Sequence, residues 1–409
     1  MKVLHTSDWH LGRSLYGRER YDAFAAFLTW LVALVEEQEI AVLLVAGDVF
    51  DSHTPSHRAQ TLYYHFLSQL LRTSCRHVVI TAGNHDSPSL LEAPQQLLRA
   101  LDVQVIGRVA DSLDEEVILL KDRQGQAELI VCAVPYLRDR EMRVVEAGES
   151  VEDKERKLQE GIRQHYAAVA ALAEQKRQQW GAHLPIVAMG HLFAAGGQVV
   201  EGDGVRDLYV GSLLQLPAGI FADCFDYVAL GHLHVAQKVN HSERIQYSGS
   251  PLPMGFGEAS QQKSVQLLSL TGRSVTVQRV AVPVFQPLQR LKGDWAALLK
   301  QIKILAAEGA SAWLEIIYEG AEVMGDLRER LDQAVADSQM VILRVRNDRV
   351  LDQVRAQVAV EESIDDLDVY DLFERCLVAH KVPEEQRAEL HGAYREIMAS
   401  WHEEDAQAE

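Results

Sequence analysis

His5-Thr6-Ser7-Asp8-Trp9-His10-Leu11-Gly12 follows directly on the apolar pair Val3-Leu4 near the start of the chain. A short aliphatic run that breaks into Asp and His outlines a strand delivering polar side chains at its carboxyl end. The outline recurs. Ala41 to Ala46 leads into Gly47-Asp48-Val49-Phe50-Asp51, and Val78 to Thr81 into Gly83-Asn84-His85-Asp86. Ile186 to Met189 leads into Gly190-His191, and Tyr227 to Leu230 into Gly231-His232-Leu233-His234. Stretches of helical period separate the runs: Tyr21 to Glu37, Gln60 to Leu71, Ser89 to Leu101 and Val151 to Trp180. Ligands of open α/β folds sit beyond the carboxyl ends of the strands, so these polar ends are expected to converge.

The residue types define the chemistry. Asp8 and His10 are two apart, as are His232 and His234, and in extended backbone that spacing turns both members of a pair to one side. Each pair is then expected to reach one metal centre. Carboxylate, imidazole and amide oxygen without thiolate form a hard to borderline set, suited to manganese, iron or magnesium. Asp8, His10, Asp48, Asn84, His191, His232 and His234 exceed the needs of one ion. Two divalent ions about 3.5 to 4 Å apart, clamping a phosphoryl group, would use them all.

Taken in order, these five blocks resemble the signature of the calcineurin-like metallophosphoesterase superfamily. The strings His5 to Gly12, Val45 to Asp51, Ala82 to Ser87 and Tyr247-Ser248-Gly249-Ser250-Pro251 narrow the resemblance to the bacterial nuclease subunits that work with the SMC-like ATPase SbcC. It covers essentially the whole chain, most strongly up to about Leu270. It implies a four-layer αββα sandwich over residues 1–270, a small α/β capping domain over 275–346 that contacts DNA, and a helical SbcC-binding tail over 347–409. It gives one ion Asp8, His10 and His234, gives the other Asn84, His191 and His232, and makes Asp48 the bridge. His85 becomes the catalytic histidine outside the ligand set, and Asp86 orients it or a ligand. The implied cofactors are two manganese ions, with magnesium as the alternative. The implied activity is 3′-to-5′ exonuclease on DNA duplexes and endonuclease on hairpins and single strands, in repair and recombination. A cytoplasmic homodimer is implied as well.

One departure stands out. Some relatives place a histidine after the Gly-Asp-x-Phe run, where this chain has Asp51. His53 or His57 could substitute, and either also reads as a surface histidine. For DNA contact the candidates are Arg13, Arg138, Arg140 and Arg206, each of which reads equally as an arginine in a local ion pair.

The region after about Leu270 keeps an α/β alternation: strands at Val275 to Val282, Ala312 to Tyr318 and Met340 to Val345, helices at Asp294 to Ala307 and Val323 to Ser338. Two amphipathic helices follow, one with Tyr370, Phe373 and Leu377, the other with Tyr394, Met398 and Trp401. They suit a partner's coiled coil, or they bury these faces against each other.

Composition sets the outer bounds. At 409 residues with 47% hydrophobic and 24% charged, the chain is globular and of more than one domain. No apolar stretch reaches the roughly 18 residues of a membrane helix, and no leader is expected ahead of Asp8, so the reading is of a soluble protein. Cys75, Cys132, Cys224 and Cys376 form no Cys-x-x-Cys pair and read as buried small hydrophobes in a reducing compartment. Net charge is −19, of which residues 361–409, with 15 acidic and 4 basic side chains, carry −11. Such a tail suits a basic partner, or a solvated surface. No Gly-x-x-x-x-Gly-Lys-Ser/Thr loop is present, so ATP chemistry would come from the partner. Two rival functions remain: a small-substrate phosphodiesterase or phosphatase, and a non-catalytic scaffold for SbcC.

Overall fold

In a computed structural model of the chain, the described residues are 1–143, 149–197, 215–320 and 324–347, with Glu374, Leu377, Arg387, Leu390, His391 and Tyr394 of the tail. Strand β1 (Lys2–Thr6), helix α1 (Tyr21–Glu37), β2 (Val42–Ala46), α2 (His57–Leu70) and β3 (His77–Thr81) open it. Next come α3 (Pro88–Glu92), α4 (Gln95–Arg99), β4 (Val103–Ile106), α5 (Leu113–Glu116), β5 (Val117–Lys121), β6 (Ala127–Ala133) and α6 (Asp139–Met142). Then follow α7 (Val151–Trp180), β7 (Ile186–His191), β8 (Tyr227–Gly231), β9 (Gln237–Lys238), β10 (Ile245–Tyr247), β11 (Ser264–Thr271) and β12 (Ser274–Ala281). The last elements are β13 (Leu288–Gly293), α8 (Trp295–Ala307), β14 (Trp313–Tyr318), α9 (Leu327–Val335) and β15 (Val341–Asn347).

The strands form two six-stranded sheets, ordered β12-β11-β1-β2-β3-β4 and β5-β6-β7-β8-β10-β9. The period of two along each strand sorts their side chains into layers. Leu43 and Val45 of β2 pack with Phe24, Phe27 and Phe66 of α1 and α2, whereas Val42, Leu44 and Ala46 point into the space between the sheets. There they meet Val131, Ala133, Val187, Met189 and Ala229. Ile130 and Cys132 turn the other way, onto Ile162, Tyr166 and Val169 of α7. Strands buried on both faces explain the unbroken apolar runs in the sequence. The result is the four-layer αββα sandwich, and each fully buried aliphatic side chain contributes about 1.5–3 kcal/mol to it.

Serine and aspartate side chains cap three of the helices: Ser56, Ser150 and Asp294 accept from the backbone N–H of Ala59, Asp153 and Ala297. The helix expected over Ser89 to Leu101 is instead two short ones, α3 and α4. Pro94 stands between them, and its missing N–H and ring break the helix.

The chain divides into two compact units, Met1–Gln289 and Arg290–Glu409. This boundary is later than the 270–275 expected. Strand β12 pairs antiparallel with β11 along its whole length, from Ser264↔Ala281 to Thr271↔Ser274, and so forms the edge of the first sheet. The second unit carries the sheet β13-β14-β15, with β14 and β15 parallel, over a core of Leu298, Ile302, Leu314, Ile316 and Leu331. In the tail the described residues are helical, and Glu374 accepts from Arg387 Nη1 at 3.1 Å and His391 Nε2 at 2.5 Å. Tyr370, Phe373, Cys376, Met398, Trp401 and Arg206 lie outside the described residues. Cys75, Cys132 and Cys224 are free thiols, of which only Cys132 is fully buried. Among the described residues no helix is long and apolar enough to cross a membrane.

Candidate metal centre

Strands β1, β2 and β3 are parallel neighbours in one sheet, and β7 and β8 in the other. Asp8, Asp48 and Asn84 follow the first three; His191 ends β7 and His232 follows β8. The chain does not stay extended at these ends. Asp8, His10, Asp48 and His232 have φ of 53°, 48°, 50° and 103°, the left-handed region that costs an ordinary residue about 1–3 kcal/mol. Backbone bonds hold the turns: Asp8 N–H to Gly47 O and His10 N–H to Asp48 O, both at 3.0 Å. Asp8 and His10 therefore converge through a turn rather than through an extended strand.

Two glycines make room. Gly47 has φ +85°, and a Cβ there would sit 2.2 Å from His191 Nδ1. A Cβ on Gly83 would sit 2.1 Å from Asp48 Oδ1.

The donors gather into two clusters. In the first, ligand atoms of Asp8, His10 and His234 all lie within 4.8 Å of one another, with His10 Nε2 and His234 Nε2 3.1 Å apart. In the second, Asp8, Asp48 and His191 meet the same limit, and Asn84 Oδ1 lies 3.0 Å from His191 Nε2 and 3.1 Å from His232 Nδ1. Asp48 stands between them, its Oδ2 3.6 Å from His10 Nε2 and 3.3 Å from His191 Nε2. His232 and His234 thus part company, one to each cluster, which is the division that the resemblance implies and not the shared centre that the spacing alone suggests. The positive φ at His232 turns its side chain away from the path of an extended strand.

Neighbours fix the tautomers. His191 Nδ1 donates to Ala46 O at 2.9 Å, which leaves the Nε2 lone pair for a cation. Burial, with the charge of Asp48 adding, raises the Asp8 carboxyl to about 7 despite His191 nearby. Burial would also raise Asp48, but the charge and hydrogen bond of His191, then His85 and His10, hold it well below the usual carboxylate range. His191 goes up to about 9, since Asp48 and Asp8 outweigh the burial that opposes its charge. Without a cation the pocket therefore holds carboxylates and imidazoles in a proton-sharing cluster, which is a good fit to divalent metal ions.

His85 is half-buried beside this cluster, its ring 4.9 Å from that of His10. Its backbone N–H donates to Asp48 Oδ1 and its Nδ1 to the carbonyl of Asp51, both at 2.9 Å. Of the two roles expected of Asp86, its contacts fit the orienting of the loops that carry Asp48 and Asn84, not of the His85 ring. The Asp86 carboxylate accepts from the backbone N–H of Gly83, Val49 and Phe50, tying the loops after β2 and β3 together. Arg138 reaches the same loop, with Nη2 donating to Asp86 O at 3.2 Å. Arg13 is paired with Asp51 at 3.1 Å. Arg140 is exposed on α6. His53 is exposed, and its pKa is lowered by partial burial and then by the charges of Arg138 and His85.

Several supporting residues were not foreseen. Ser7 Oγ donates to Asp8 Oδ2 at 2.5 Å and meets Ser248 Oγ at 2.7 Å. Tyr247 Oη donates to Leu192 O and accepts from Ala194 N–H, both at 2.8 Å, fixing the chain after His191. The Tyr247 to Pro251 string thus serves as scaffolding for the ligands. Lys263 Nζ donates to His234 O at 3.0 Å and pairs with Glu258 at 2.5 Å, and Glu258 Oε1 lies 3.8 Å from His234 Nδ1. Only the serines and the tyrosine had a signal, in their motif strings; Glu258 and Lys263 had none.

Comparison with known proteins identifies the family. The calcineurin-like phosphoesterase family model matches residues 1–236, and that of the type 5 capsule protein repressor C-terminal domain matches residues 284–381. The SbcD subunit of the SbcCD nuclease of Escherichia coli strain K12 is 33% identical over 397 residues, covering 95% of this chain and 96% of the relative. The corresponding nuclease subunit of Rhodobacter capsulatus is 36% identical over 309 residues, 74% of each chain. Among solved structures, a dimetal phosphatase from Danio rerio aligns with a TM-score of 0.39 at 13% identity, covering 69% of this chain and 99% of its own. With the calcineurin-like phosphoesterase model matched over more than half of the chain and a relative matched along nearly its whole length, the chain belongs to the SbcD family of calcineurin-like phosphoesterases, metal-dependent hydrolases of phosphate esters.

Proposed function

We propose that the chain is a manganese-dependent DNA nuclease that processes duplex ends and hairpins together with the ATPase SbcC. The observation that carries this reading is the meeting of Asp8, His10, Asp48, Asn84, His191, His232 and His234 in one pocket, with His85 beside them. Asp8, His10 and His234 would hold one ion and Asn84, His191 and His232 the other, with Asp48 serving both. The bound ions supply Lewis acidity to the phosphoryl oxygens and to the attacking water, and the thiolate-free donor set favours manganese, with magnesium next. His85, fixed at Nδ1 by the Asp51 carbonyl, steadies the phosphoryl group through Nε2. It gives a proton to the leaving ester oxygen as the old P–O bond breaks and the bond from water oxygen forms.

By family resemblance, digestion runs 3′ to 5′ on duplexes, with endonuclease cuts at hairpins and single strands during repair and recombination. In the same reading residues 275–346 form the small DNA-contacting domain and the acidic tail over 347–409 docks on SbcC, in a cytoplasmic homodimer. Arg138, Arg140 and Arg206 are the cations assigned to DNA, whereas Arg13 is already paired with Asp51.

The test is cleavage of a labelled hairpin duplex with manganese, with and without SbcC and ATP, beside a cyclic-nucleotide substrate. Manganese-dependent cutting that SbcC and ATP extend to long or blocked duplexes supports the reading. Turnover of the cyclic nucleotide with no DNA cleavage under any condition overturns the nuclease assignment and keeps the phosphoesterase. Deletion after Leu351 should abolish SbcC binding while sparing cleavage of small phosphodiesters. Retained pull-down would refute the docking role of the tail.

A further inference from the structure

Asp51 meets the site through two different atoms. Its Oδ1 lies 3.2 Å from His10 Nδ1, and its backbone carbonyl accepts from His85 Nδ1 at 2.9 Å. The imidazoles it serves have different tasks: His10 belongs to the ligand clusters, and His85 stands outside them. His10 is fully buried, and its Nδ1 is in line with no acceptor, so the carboxylate of Asp51 is the anion within its reach. Arg13 Nη1 donates to the same Oδ1 at 3.1 Å and holds that carboxylate in place. A carboxylate behind a ligating imidazole fixes the ring and raises the basicity of its other nitrogen.

We propose that Asp51 is a positioning residue that serves His10 through its charge and His85 through its backbone, so that one side-chain substitution separates metal affinity from cleavage rate. The inference rests on the metallonuclease reading above. Asp51→Asn nearly preserves shape and keeps the carbonyl that holds His85, but removes the charge behind His10.

The experiment is calorimetric titration of manganese into full-length wild type and Asp51→Asn, paired with hairpin cleavage across manganese concentrations. The variant is expected to bind one manganese roughly 10–100-fold more weakly, with the other unchanged. At saturating manganese its kcat should return to near the wild-type value. Arg13→Gln, which leaves the carboxylate but frees it, should weaken the same site by a smaller factor, and it stands in if Asp51→Asn does not fold. Unchanged manganese affinity in the folded variants overturns the proposal. So does weakening at both sites with a kcat that saturating manganese does not restore, the pattern of general structural damage. Ligand atoms of His10, Asp51 and His85 lie within 4.8 Å of one another, so a third manganese bound by wild type and lost in Asp51→Asn would make Asp51 a ligand and also overturn it. Wild-type protein that takes up no manganese would instead refute the reading beneath the proposal.

Discussion

His10 Nε2 and His234 Nε2 lie 3.1 Å apart, and both rings are buried. Each has a carboxylate toward its other nitrogen, Asp51 at 3.2 Å for His10 and Glu258 at 3.8 Å for His234. Without a cation one Nε2 donates to the other; for both to bind a cation each proton must sit on Nδ1, the side on which these carboxylates lie. The carboxylates thus prepare the pocket for metal before any metal arrives.

Asp48 is the group whose loss should empty the site. Its Oδ2 is within 3.6 Å of a histidine from each cluster, so neither cluster is complete without it. Asp48→Asn protein is expected to retain neither ion after dialysis, measured by elemental analysis. Full occupancy at one position would show that the carboxylate is not shared.

His85 should separate binding from chemistry. Because it stands outside both donor groups that contain Asp8, His85→Gln is expected to keep metal content and DNA affinity near wild type while cleavage falls about 10²–10⁴-fold. Comparable turnover in wild type and variant, with metal saturating, would remove the histidine from the reaction.

The strand-end blocks made the sandwich and the convergence of its polar strand ends readable because both leave local patterns: apolar runs of five or six residues, then Asp, His or Asn. What was not readable depends on distant parts of the chain. Lys263 and Glu258 lie beyond the last ligand, ahead of β11, and only the fold brings them under His234. Asp51 looked like a missing histidine until its contacts with His10 and His85 were in place. The left-handed turns at Asp8 and His10 were hidden because φ is set there by bonds to the loop after β2, not by residue type. The place of β12 in the first sheet was hidden for a similar reason. β12 exposes alternate residues and reads as an independent strand, yet its partner β11 is only the two-residue link Gly272-Arg273 away.

Protons and metal should compete. Asp8, raised to about 7 by burial and Asp48, and His191, raised to about 9 by Asp48 and Asp8 against burial, both carry protons near neutrality in the metal-free pocket. Divalent ions must displace them, so manganese affinity is expected to rise as pH goes from about 6 to 8, with proton release. Titration calorimetry in two buffers of different protonation enthalpy reads both effects. For folding without metal the sign is opposite. Both groups bind protons more tightly folded than unfolded, so the stability they contribute is lost as pH rises through about 7 and then about 9. The thermal midpoint of metal-free protein should fall over that range, and saturating manganese should flatten the fall. A midpoint that rises with pH without metal would show that these protons are not held.

Gly83 offers a test of the pocket that leaves every ligand in the chain. A methyl group there would lie 2.1 Å from Asp48 Oδ1 and 2.4 Å from Asp48 N. The side chain could yield by rotating, but the backbone nitrogen is fixed by the turn after β2. Gly83→Ala must therefore push apart the loops after β2 and β3, which Asp86 ties together through Gly83, Val49 and Phe50. Overpacking of this kind costs about 1–3 kcal/mol. The displaced atom belongs to Asp48, so the damage should appear in metal binding as well as in unfolding. Denaturant titration is expected to show that loss of stability, and elemental analysis a reduced metal content at both positions. Wild-type metal content with only the stability lowered would mean that the loops yield elsewhere and that Asp48 keeps its place.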